Sequence, residues 1–344
     1  MQDILPSSLS AIRIGPHVLP NPVVLAPMAG ITDAPLRRMA VRYGAGLVVS
    51  EMVASEALLD GHAETTLRAG RAGIPLHAVQ LAGNDPHWMA EAARLAEAEG
   101  ADIIDINMGC PAKRVTTGAA GAALLRDLPL ATRIIEAVRE AVGVPVTLKT
   151  RLGWDEGAPT APTLAVIAEK AGVALVTIHG RTRCQFYTGR ADWEAIAEVK
   201  AEVSVPVLAN GDLVACADAA PMLAASGADG VMIGRGAQGR PWFPGQVAGF
   251  LEAGRVPAEP DITEQRDVLL EMYEGWLSLY GVGLGVRQAR KHLGWALEAA
   301  AASAGREQDW IKLWRAKLLR AEAPREVADG IRAAFDDVNW RAAA

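Results

Sequence analysis

Several polar side chains of types that take part in catalysis follow directly after short apolar runs of this sequence. Lys149 ends one run and could form a Schiff base with a carbonyl group or place a positive charge beside a cofactor ring. Gln80 and Asn107 end two others, and their amides could hydrogen-bond the edge of a planar heterocycle or satisfy loop backbone. Cys110 lies three residues after Asn107 in a turn with glycine and proline. Its thiol could donate a proton, or it could be a small buried apolar residue.

Two glycine-bearing loops late in the sequence have the features of a phosphate site. They are Asn210-Gly211-Asp212 and Gly234-Arg235-Gly236. Glycines let backbone N–H groups approach an anion, and the positively charged guanidinium group of Arg235 can donate further hydrogen bonds to it. The glycines could instead serve only to make tight turns, but two such loops with an arginine favour the phosphate site. His179 ends another run, before Gly180 and Arg181, and is expected beside these loops rather than in the core.

These residues can act together only if the elements before them bring them to one place. Eight short apolar runs, each followed by a helix-like stretch, have the pattern of parallel strands covered on both faces. Eight such units in roughly 230 residues predict an α/β fold of the (β/α)8 barrel type, because a doubly wound sheet usually has five or six strands. The side chains that end the strands would then meet at one mouth. The runs are 23–26, 47–50, 77–80, 103–106, 145–148, 175–178, 206–209 and 230–233.

Helix signals separate these runs. Asp85 followed by Pro86 predicts a cap and a first helical residue, and the helix should end near Gly100. Helical spacing places four of its residues on one inward face, namely Trp88, Ala92, Leu95 and Ala96.

The sequence beyond the last run is only helical in pattern. Residues 256–261 indicate a linker, so we predict a barrel domain over 1–256 and a C-terminal all-helical domain over 262–344. Further helices are expected at 285–299 and 309–320. Residues 281–320 hold eight basic and three acidic side chains, an excess of five positive charges. Arg287, Arg290 and Lys291 stand at i, i+3 and i+4, where a helix would place them on one face.

Composition narrows the class of protein. Of 344 residues, 51 % are hydrophobic and 22 % charged, which is typical of a globular chain and not of a disordered one. The three cysteines are widely spaced and suggest neither a disulfide framework nor a zinc site. The N-terminus, with Asp3, does not resemble a signal peptide, and no run is long enough for a membrane span. We therefore expect a cytoplasmic monomer without a metal. The net charge of -6 counts mildly against nucleic-acid binding.

Across nearly its whole length the chain resembles the bacterial tRNA-dihydrouridine synthases, and within them the B type. The most specific segment is Asp105-Ile106-Asn107-Met108-Gly109-Cys110-Pro111. Other segments in barrel order support it, namely Ala26-Pro27-Met28-Ala29-Gly30, Val79-Gln80-Leu81-Ala82-Gly83, Leu148-Lys149-Thr150-Arg151, Ile178-His179-Gly180-Arg181-Thr182, Asn210-Gly211-Asp212, Gly234-Arg235-Gly236 and Arg290-Lys291-His292.

The resemblance implies an oxidoreductase that holds FMN, takes electrons from NADPH and reduces the C5–C6 bond of D-loop uridines in tRNA. It implies that Cys110 is the proton donor and that Asn107 and Arg151 contact the uracil. The helical domain, with Arg287, Arg290 and Lys291, would bind the tRNA phosphates. The implied cofactor residues are Pro27, Met28, Ala29, Gln80, Lys149, His179, Asn210, Gly211, Asp212, Gly234 and Arg235.

Three other functions stay open at the level of sequence. The chain could be an FMN barrel reductase that acts on a free pyrimidine, although the basic helical region argues against a small substrate. It could be a Schiff-base aldolase built on Lys149, which would be colourless. It could also be a non-catalytic RNA-binding regulator that keeps a barrel fold, although its complete set of polar strand-end residues argues for catalysis.

Overall fold

The computed structural model describes residues 11–342, and side chains up to residue 338. The expectation that rests on Asp3 lies outside the described residues. The strands are β1 (Arg13–Ile14), β2 (His17–Val18), β3 (Val23–Leu25), β4 (Leu47–Val48), β5 (Val53–Ala54), β6 (Ala78–Ala82), β7 (Ile103–Met108), β8 (Val146–Arg151), β9 (Leu175–His179), β10 (Val207–Asn210) and β11 (Gly230–Ile233).

Fourteen α-helices occur in the part of the chain that the structure describes. They are α1 (Ala34–Arg42), α2 (Ser55–Leu59), α3 (Ala63–Ala69), α4 (Pro86–Ala98), α5 (Lys113–Thr116), α6 (Leu128–Ala141), α7 (Ala161–Lys170), α8 (Glu194–Glu202), α9 (Ala219–Ser226), α10 (Phe243–Ala253), α11 (Ile262–Tyr280), α12 (Val282–Ser303), α13 (Gln308–Leu318) and α14 (Pro324–Ala342).

Strands β3 to β11 form one parallel sheet that closes on itself. The order is β4-β3-β11-β10-β9-β8-β7-β6-β5. Val49 bridges to Ala78 of β6, so the segment that includes β4 is paired on both sides and the ring is complete. The predicted (β/α)8 barrel is therefore confirmed, with one change. The run 47–50 is not one continuous strand, because the chain leaves the ladder at Ser50 and pairs again only at β5.

A short hairpin closes the end of the barrel opposite the strand carboxyl ends. Strands β1 and β2 pair antiparallel. Ile12 and Ile14 pack against inward side chains of the barrel, among them Val24 and Leu208, in a cluster separate from the one under the outer helices. Apolar packing thus fills the amino end of the barrel, and the polar strand ends surround its other end.

Helix α4 shows how the outer layer is fixed. The Asp85 carboxylate accepts hydrogen bonds from the backbone N–H groups of His87 (2.8 Å) and Trp88 (3.3 Å), so the predicted cap is present. The predicted inward face is wrong at one position. Trp88 is 42 % exposed, whereas Met89 is buried beside Ala92. The helix turns its small side chains toward the sheet, and the indole lies on the surface against His87, with ring centroids 4.8 Å apart and the ring planes tilted by 58°.

The C-terminal region is all helical and packs on the barrel beside α1. Its helices extend past the predicted bounds at Val282–Ser303 but end earlier than predicted at Gln308–Leu318. Arg42 of α1 pairs with Glu271 of α11, and the Tyr43 hydroxyl donates to Glu264 over 2.6 Å. Helix α10 ends before the proposed linker and α11 begins after it, although the division into two domains stays a prediction. Within residues 11–342 no helix is long and apolar enough to cross a membrane.

Candidate active site

A cavity of about 750 Å³ opens at the carboxyl ends of the strands. Its size suits a ligand with several rings or groups. Every barrel residue predicted for the site lines it, although seven separate strands and the turns after them contribute these residues. These residues are Pro27, Met28, Ala29, Gln80, Asn107, Cys110, Lys149, Arg151, His179, Asn210, Gly211, Asp212, Gly234 and Arg235.

Lys149 projects from β8 into this cavity and is held across two strands. Its ammonium group donates to the Asn210 side-chain oxygen at 3.0 Å, and the Asn210 amide donates in turn to the Met232 carbonyl at 2.7 Å. Burial, helped by the nearby charge of Arg151, lowers the pKa of Lys149 to about 8. A partly desolvated cation of this kind can hold negative charge on a ligand, or it can act as a nucleophile once deprotonated.

The loops after β10 and β11 form one end of the cavity. Gly211 has φ +124° and Asp212 has φ +59°, a sharp backbone turn. The Asp212 carboxylate accepts from Arg181 at 2.5 Å and lies 3.4 Å from the guanidinium of Arg235, which is 51 % exposed. Burial alone would raise the pKa of Asp212, but these hydrogen bonds outweigh burial and lower it. The carboxylate therefore orients Arg235, and only the backbone at Asp212 suits an anion.

Gly234 is the most open point of this end. A Cβ placed on it would stand 3.7 Å from Met28 Sδ, with the next atom at 3.9 Å, so the backbone faces the cavity and not packed protein. Its φ of -104° and ψ of -106° are unusual for residues with a side chain. The geometry thus supports the predicted role for Gly234 and Arg235 as anion-binding groups.

Cys110 lies in a turn that Asn107 holds. The Asn107 side-chain oxygen accepts from the backbone N–H groups of Gly109 at 3.2 Å and Cys110 at 3.0 Å. The Cys110 carbonyl accepts from Ala122 at 3.1 Å, so the loop returns beneath the turn. Cys110 is partly buried and lines the cavity, while Cys184 is exposed and Cys216 buried elsewhere. Among the three cysteines, Cys110 is the one that lies in the cavity.

Arg151 is buried, and most of its N–H groups donate hydrogen bonds to the protein itself. Its Nε donates to the Gly109 carbonyl at 2.8 Å, and one terminal nitrogen donates to the carbonyls of Thr182 (3.0 Å) and Phe186 (2.8 Å). Burial lowers its pKa to about 10, so it stays charged near neutral pH. Arg151 therefore holds the loops after β7 and β9 together, and its predicted contact to a base stays a prediction.

His179 is a neutral imidazole in this setting. Burial and the nearby charges of Lys149 and Arg151 lower its pKa well below the ordinary value. Its Nε2 lies 3.4 Å from a guanidinium nitrogen of Arg181. Because arginine only donates, Nε2 is the acceptor and the ring proton is assigned to Nδ1.

Comparison with known proteins agrees with this geometry. The model of the dihydrouridine synthase (Dus) family matches residues 24–327. The chain belongs to the dihydrouridine synthase family. A protein of Rhizobium leguminosarum bv. phaseoli named "Probable tRNA-dihydrouridine synthase" is 54 % identical over 317 residues, which are 92 % of this chain and 96 % of the relative. A "tRNA-dihydrouridine synthase B" of Xanthomonas axonopodis pv. citri is 48 % identical, over 91 % of this chain and 92 % of its own. The family expected from the sequence is confirmed.

Solved structures show the same fold at low identity. Histamine dehydrogenase from Rhizobium sp. 4-9 superposes with a TM-score of 0.54 at 14 % identity, over 84 % of this chain and 51 % of that one. An amine oxidase of Pseudomonas geniculata N1 gives a TM-score of 0.53 at 16 % identity, over 73 % of this chain and 49 % of its own. This chain thus spans about half the length of both proteins, and the likeness concerns the barrel fold.

Sequence reasoning missed Tyr187 of this dihydrouridine synthase. Its ring is 52 % exposed at the mouth, with the Arg151 guanidinium 5.4 Å and the Arg235 guanidinium 4.9 Å from its centroid. The neighbouring Phe186 has φ +50°, which aims this segment toward the cavity. No periodicity marks a loop residue eight positions after a strand. An aromatic residue shortly after the polar end of β9 was the available signal.

The predicted basic trio of α12 does not share one exposed face. Arg287 is exposed, but Arg290 and Lys291 are half-buried. The Lys291 ammonium lies 3.8 Å from the position of a Cβ on Gly30, in the field of Asp33 and Glu51. Glu51 also accepts from the Gly30 backbone N–H. The carboxylates of the first two barrel loops draw Lys291 inward, so Arg287 is the member of the trio that is fully exposed. Contact of the trio with tRNA stays a prediction.

Proposed function

We propose that this chain is a tRNA-dihydrouridine synthase that binds FMN in the barrel mouth, takes electrons from NADPH, and reduces the C5–C6 bond of uridine in the D-loop of tRNA. The proposed location is the cytoplasm, and the proposed working form is a monomer. The family match and the names of relatives that align over almost their full length support the reaction. The observation that carries it is that Cys110 and Lys149 line the same cavity as the anion-binding loops.

The residues of the cavity fit FMN in chemistry as well as in size. A phosphate needs backbone N–H groups and a cation, which Gly211, Gly234 and Arg235 supply at one end. A flavin ring needs apolar contact and polar groups along one edge. Met28 and its neighbours offer the apolar surface, and Gln80 and Lys149 offer the polar edge. His179, neutral and buried, would complete the pocket without adding charge.

FMN held by these residues would supply the hydride that C6 of the uracil needs, with NADPH as the source of its electrons. The side chains of this chain do the remaining work. The Cys110 thiol would donate its proton to C5 from the cavity wall. Asn107 holds the turn that carries Cys110, and Arg151 keeps that turn against the β9 loop through the Gly109 carbonyl. A base stacked in folded RNA must first leave its stack, at a cost of a few kcal/mol.

Four measurements, three on the purified protein and one on its tRNA product, test this function. We expect a yellow protein that releases FMN on denaturation, is bleached by NADPH, and regains its colour on addition of tRNA from a strain that lacks this gene. The same tRNA should gain dihydrouridine at D-loop positions. A protein that is colourless and does not take up FMN would contradict the proposal and favour the Schiff-base aldolase built on Lys149. Reoxidation by free uracil but not by tRNA would favour a small-molecule pyrimidine reductase, and uptake of tRNA without reoxidation would favour a non-catalytic binding protein.

A further inference from the structure

Asp105 is a buried acidic residue that the mechanism above leaves without a role. It lies on β7, two residues before Asn107, and is 3 % exposed. It is not among the residues that line the cavity. A carboxylate in the interior of a barrel is costly unless hydrogen bonds compensate it. Its partners therefore indicate what it does.

The Asp105 carboxylate begins a chain of hydrogen bonds that ends at the backbone of Cys110. One oxygen accepts from the Thr147 hydroxyl and the other from Gln80 Nε2, both at 2.6 Å. Gln80 Oε1 accepts from Asn107 Nδ2 at 2.8 Å. Asn107 Oδ1 then accepts from the Cys110 N–H at 3.0 Å. We call the links from Asp105 through Gln80 and Asn107 to Cys110 the amide relay.

Both ends of the amide relay require the same direction of hydrogen bonding. A carboxylate only accepts, so Gln80 must turn its NH2 group toward Asp105 and its oxygen toward Asn107. The backbone N–H groups of Gly109 and Cys110 only donate, so Asn107 must turn its oxygen toward them and its NH2 group toward Gln80. A flip of either amide would set two donors or two acceptors against each other. The orientation of both amides follows from their partners.

Burial holds the pKa of the Asp105 carboxyl group above its ordinary value, although the hydrogen bonds from Thr147 and Gln80 and the positive charge on Lys149 act against burial. The orientation of the two amides does not depend on this balance, because the backbone N–H groups of Gly109 and Cys110 fix it from the other end of the relay.

We propose that Asp105 is a positioning residue that orients the amides of Gln80 and Asn107 and thereby holds Cys110 in the cavity wall. One consequence concerns recognition. Asn107 Oδ1 already accepts from two backbone N–H groups. Asn107 therefore offers a ligand an N–H and no free oxygen, which suits a carbonyl oxygen of a base. The role of Cys110 as acid rests on the proposed function, but the amide relay does not.

The test follows the reactivity of Cys110 in full-length protein stripped of any bound cofactor. A background with Cys184→Ala and Cys216→Ala leaves one thiol, whose alkylation by iodoacetamide is measured by mass spectrometry. Asp105→Leu removes the acceptor at nearly constant volume, and Gln80→Met breaks the next link. We expect each to speed alkylation about fivefold to tenfold, the ratio for loss of one ordinary buried hydrogen bond. The matched control is Thr147→Val, which removes the other hydrogen bond of the same carboxylate and should change the rate less than about twofold.

Two further variants separate a relay from general loosening of the barrel. Asp105→Asn can still accept from Gln80 while its NH2 group faces the Thr147 hydroxyl, so it should restore a rate near that of the parent. The double variant Asp105→Leu/Gln80→Met breaks two successive hydrogen bonds of the same relay. Its alkylation rate should therefore rise no more than that of either single variant, whereas two independent packing defects would multiply their effects on the rate.

Several outcomes would overturn the relay. These are a folded Asp105→Leu or Gln80→Met protein with unchanged alkylation, effects that multiply in the double variant, or a Thr147→Val effect as large as that of Asp105→Leu. If Asp105→Leu fails to fold, Gln80→Met and Asp105→Asn still test the relay. Gln80→Met should speed the alkylation of Cys110, and Asp105→Asn should not. A positive result in a protein that proves not to bind FMN would keep the relay and reject the proposed function.

Discussion

Cations at the barrel mouth and cations on the C-terminal helices are held in different ways. Lys149 contacts the neutral oxygen of Asn210, and Arg151 contacts backbone carbonyls. In the C-terminal region Arg315 pairs with Glu298 and Lys312 with Asp309. Lys149 and Arg151 at the mouth therefore have neutral partners, whereas two of the cations on the helices are paired with carboxylates of the same region.

This difference bears on two kinds of inference from the sequence, one from residues at strand ends and one from a count of charges. At the mouth, Lys149, Arg151 and Arg235 line the cavity, and its one lining carboxylate, Asp212, contacts Arg235 and the neighbouring Arg181. Along 281–320 the excess of five positive charges is a count of residues, and it does not show which of their charged groups are unpaired in the folded protein. Lys291 is turned toward the barrel. The place of a side chain can be predicted from its position at the end of a strand. Whether a surface charge is free cannot be predicted from net charge, because the partners of that charge come from distant parts of the chain.

The largest expected effect is at the mouth. Cys110→Ala should still take up FMN and be reduced by NADPH, because the thiol contributes to neither step, but its reoxidation by unmodified tRNA should slow about 10²- to 10⁴-fold, the range for loss of a general acid. Stopped-flow absorbance of the flavin measures both steps. Cys184→Ala and Cys216→Ala lie outside the cavity and are the controls. Reoxidation of Cys110→Ala within a few-fold of wild type would assign the proton to another group.

The second effect concerns the charge on Lys149. Lys149→Met should weaken FMN binding about 10- to 100-fold near neutral pH, as expected for loss of a hydrogen bond from a charged group. Because burial lowers the pKa of Lys149 to about 8, the ammonium is present below that pH and is lost as pH rises through it. Wild-type affinity should therefore fall above pH 8, and the difference from Lys149→Met should shrink there. Fluorescence titration of apoprotein with FMN measures both curves.

Arg151, Asp105 and Cys110 also face Lys149 and influence its proton. Repeating the titration in Cys110→Ala therefore tests whether the thiol causes part of the pH dependence. An affinity difference that stays constant across pH 8 would show that Lys149 remains charged there or does not contact the cofactor.

Much of the fold and of the mouth could be predicted from sequence because the relevant signals are local. Each strand is an apolar run, and the residue that ends it must lie at the mouth once the barrel closes. The break between β4 and β5 could not be predicted, since Glu51 leaves the ladder to reach the Gly30 N–H on another loop. Tyr187 was missed for a similar reason. Its place depends on Arg151 and Arg235, which lie 36 positions before it and 48 after it in the sequence.

A smaller effect should come from Lys291, which tests whether it belongs to the barrel interface. Lys291→Met removes the cation between Asp33 and Glu51, whose carboxylates are buried. We expect a melting temperature lower by about 1–2 °C, the shift for roughly 1 kcal/mol in a chain of 344 residues. Differential scanning calorimetry measures it, with Lys317→Met on the exposed face of α13 as control. Equal melting temperatures in the two variants would place Lys291 outside the interface.

The smallest effect should come from Arg287, which is the member of the trio that α12 leaves exposed. Arg287→Glu should weaken tRNA binding only a few-fold and lower the slope of log affinity against log salt by about 1, since one phosphate contact releases about one counterion. FMN content and NADPH oxidation should not change, because Arg287 does not line the cavity. Filter binding over a range of salt concentrations measures the slope.

Lys312→Glu is the matched control, because Lys312 is exposed but already pairs with Asp309 at 3.0 Å. If both variants lower the slope equally, tRNA meets a diffuse basic surface and pairing within the helices does not decide which cations it contacts. If neither does, the tRNA docks elsewhere, and the exposed Arg235 at the mouth becomes the next residue to change.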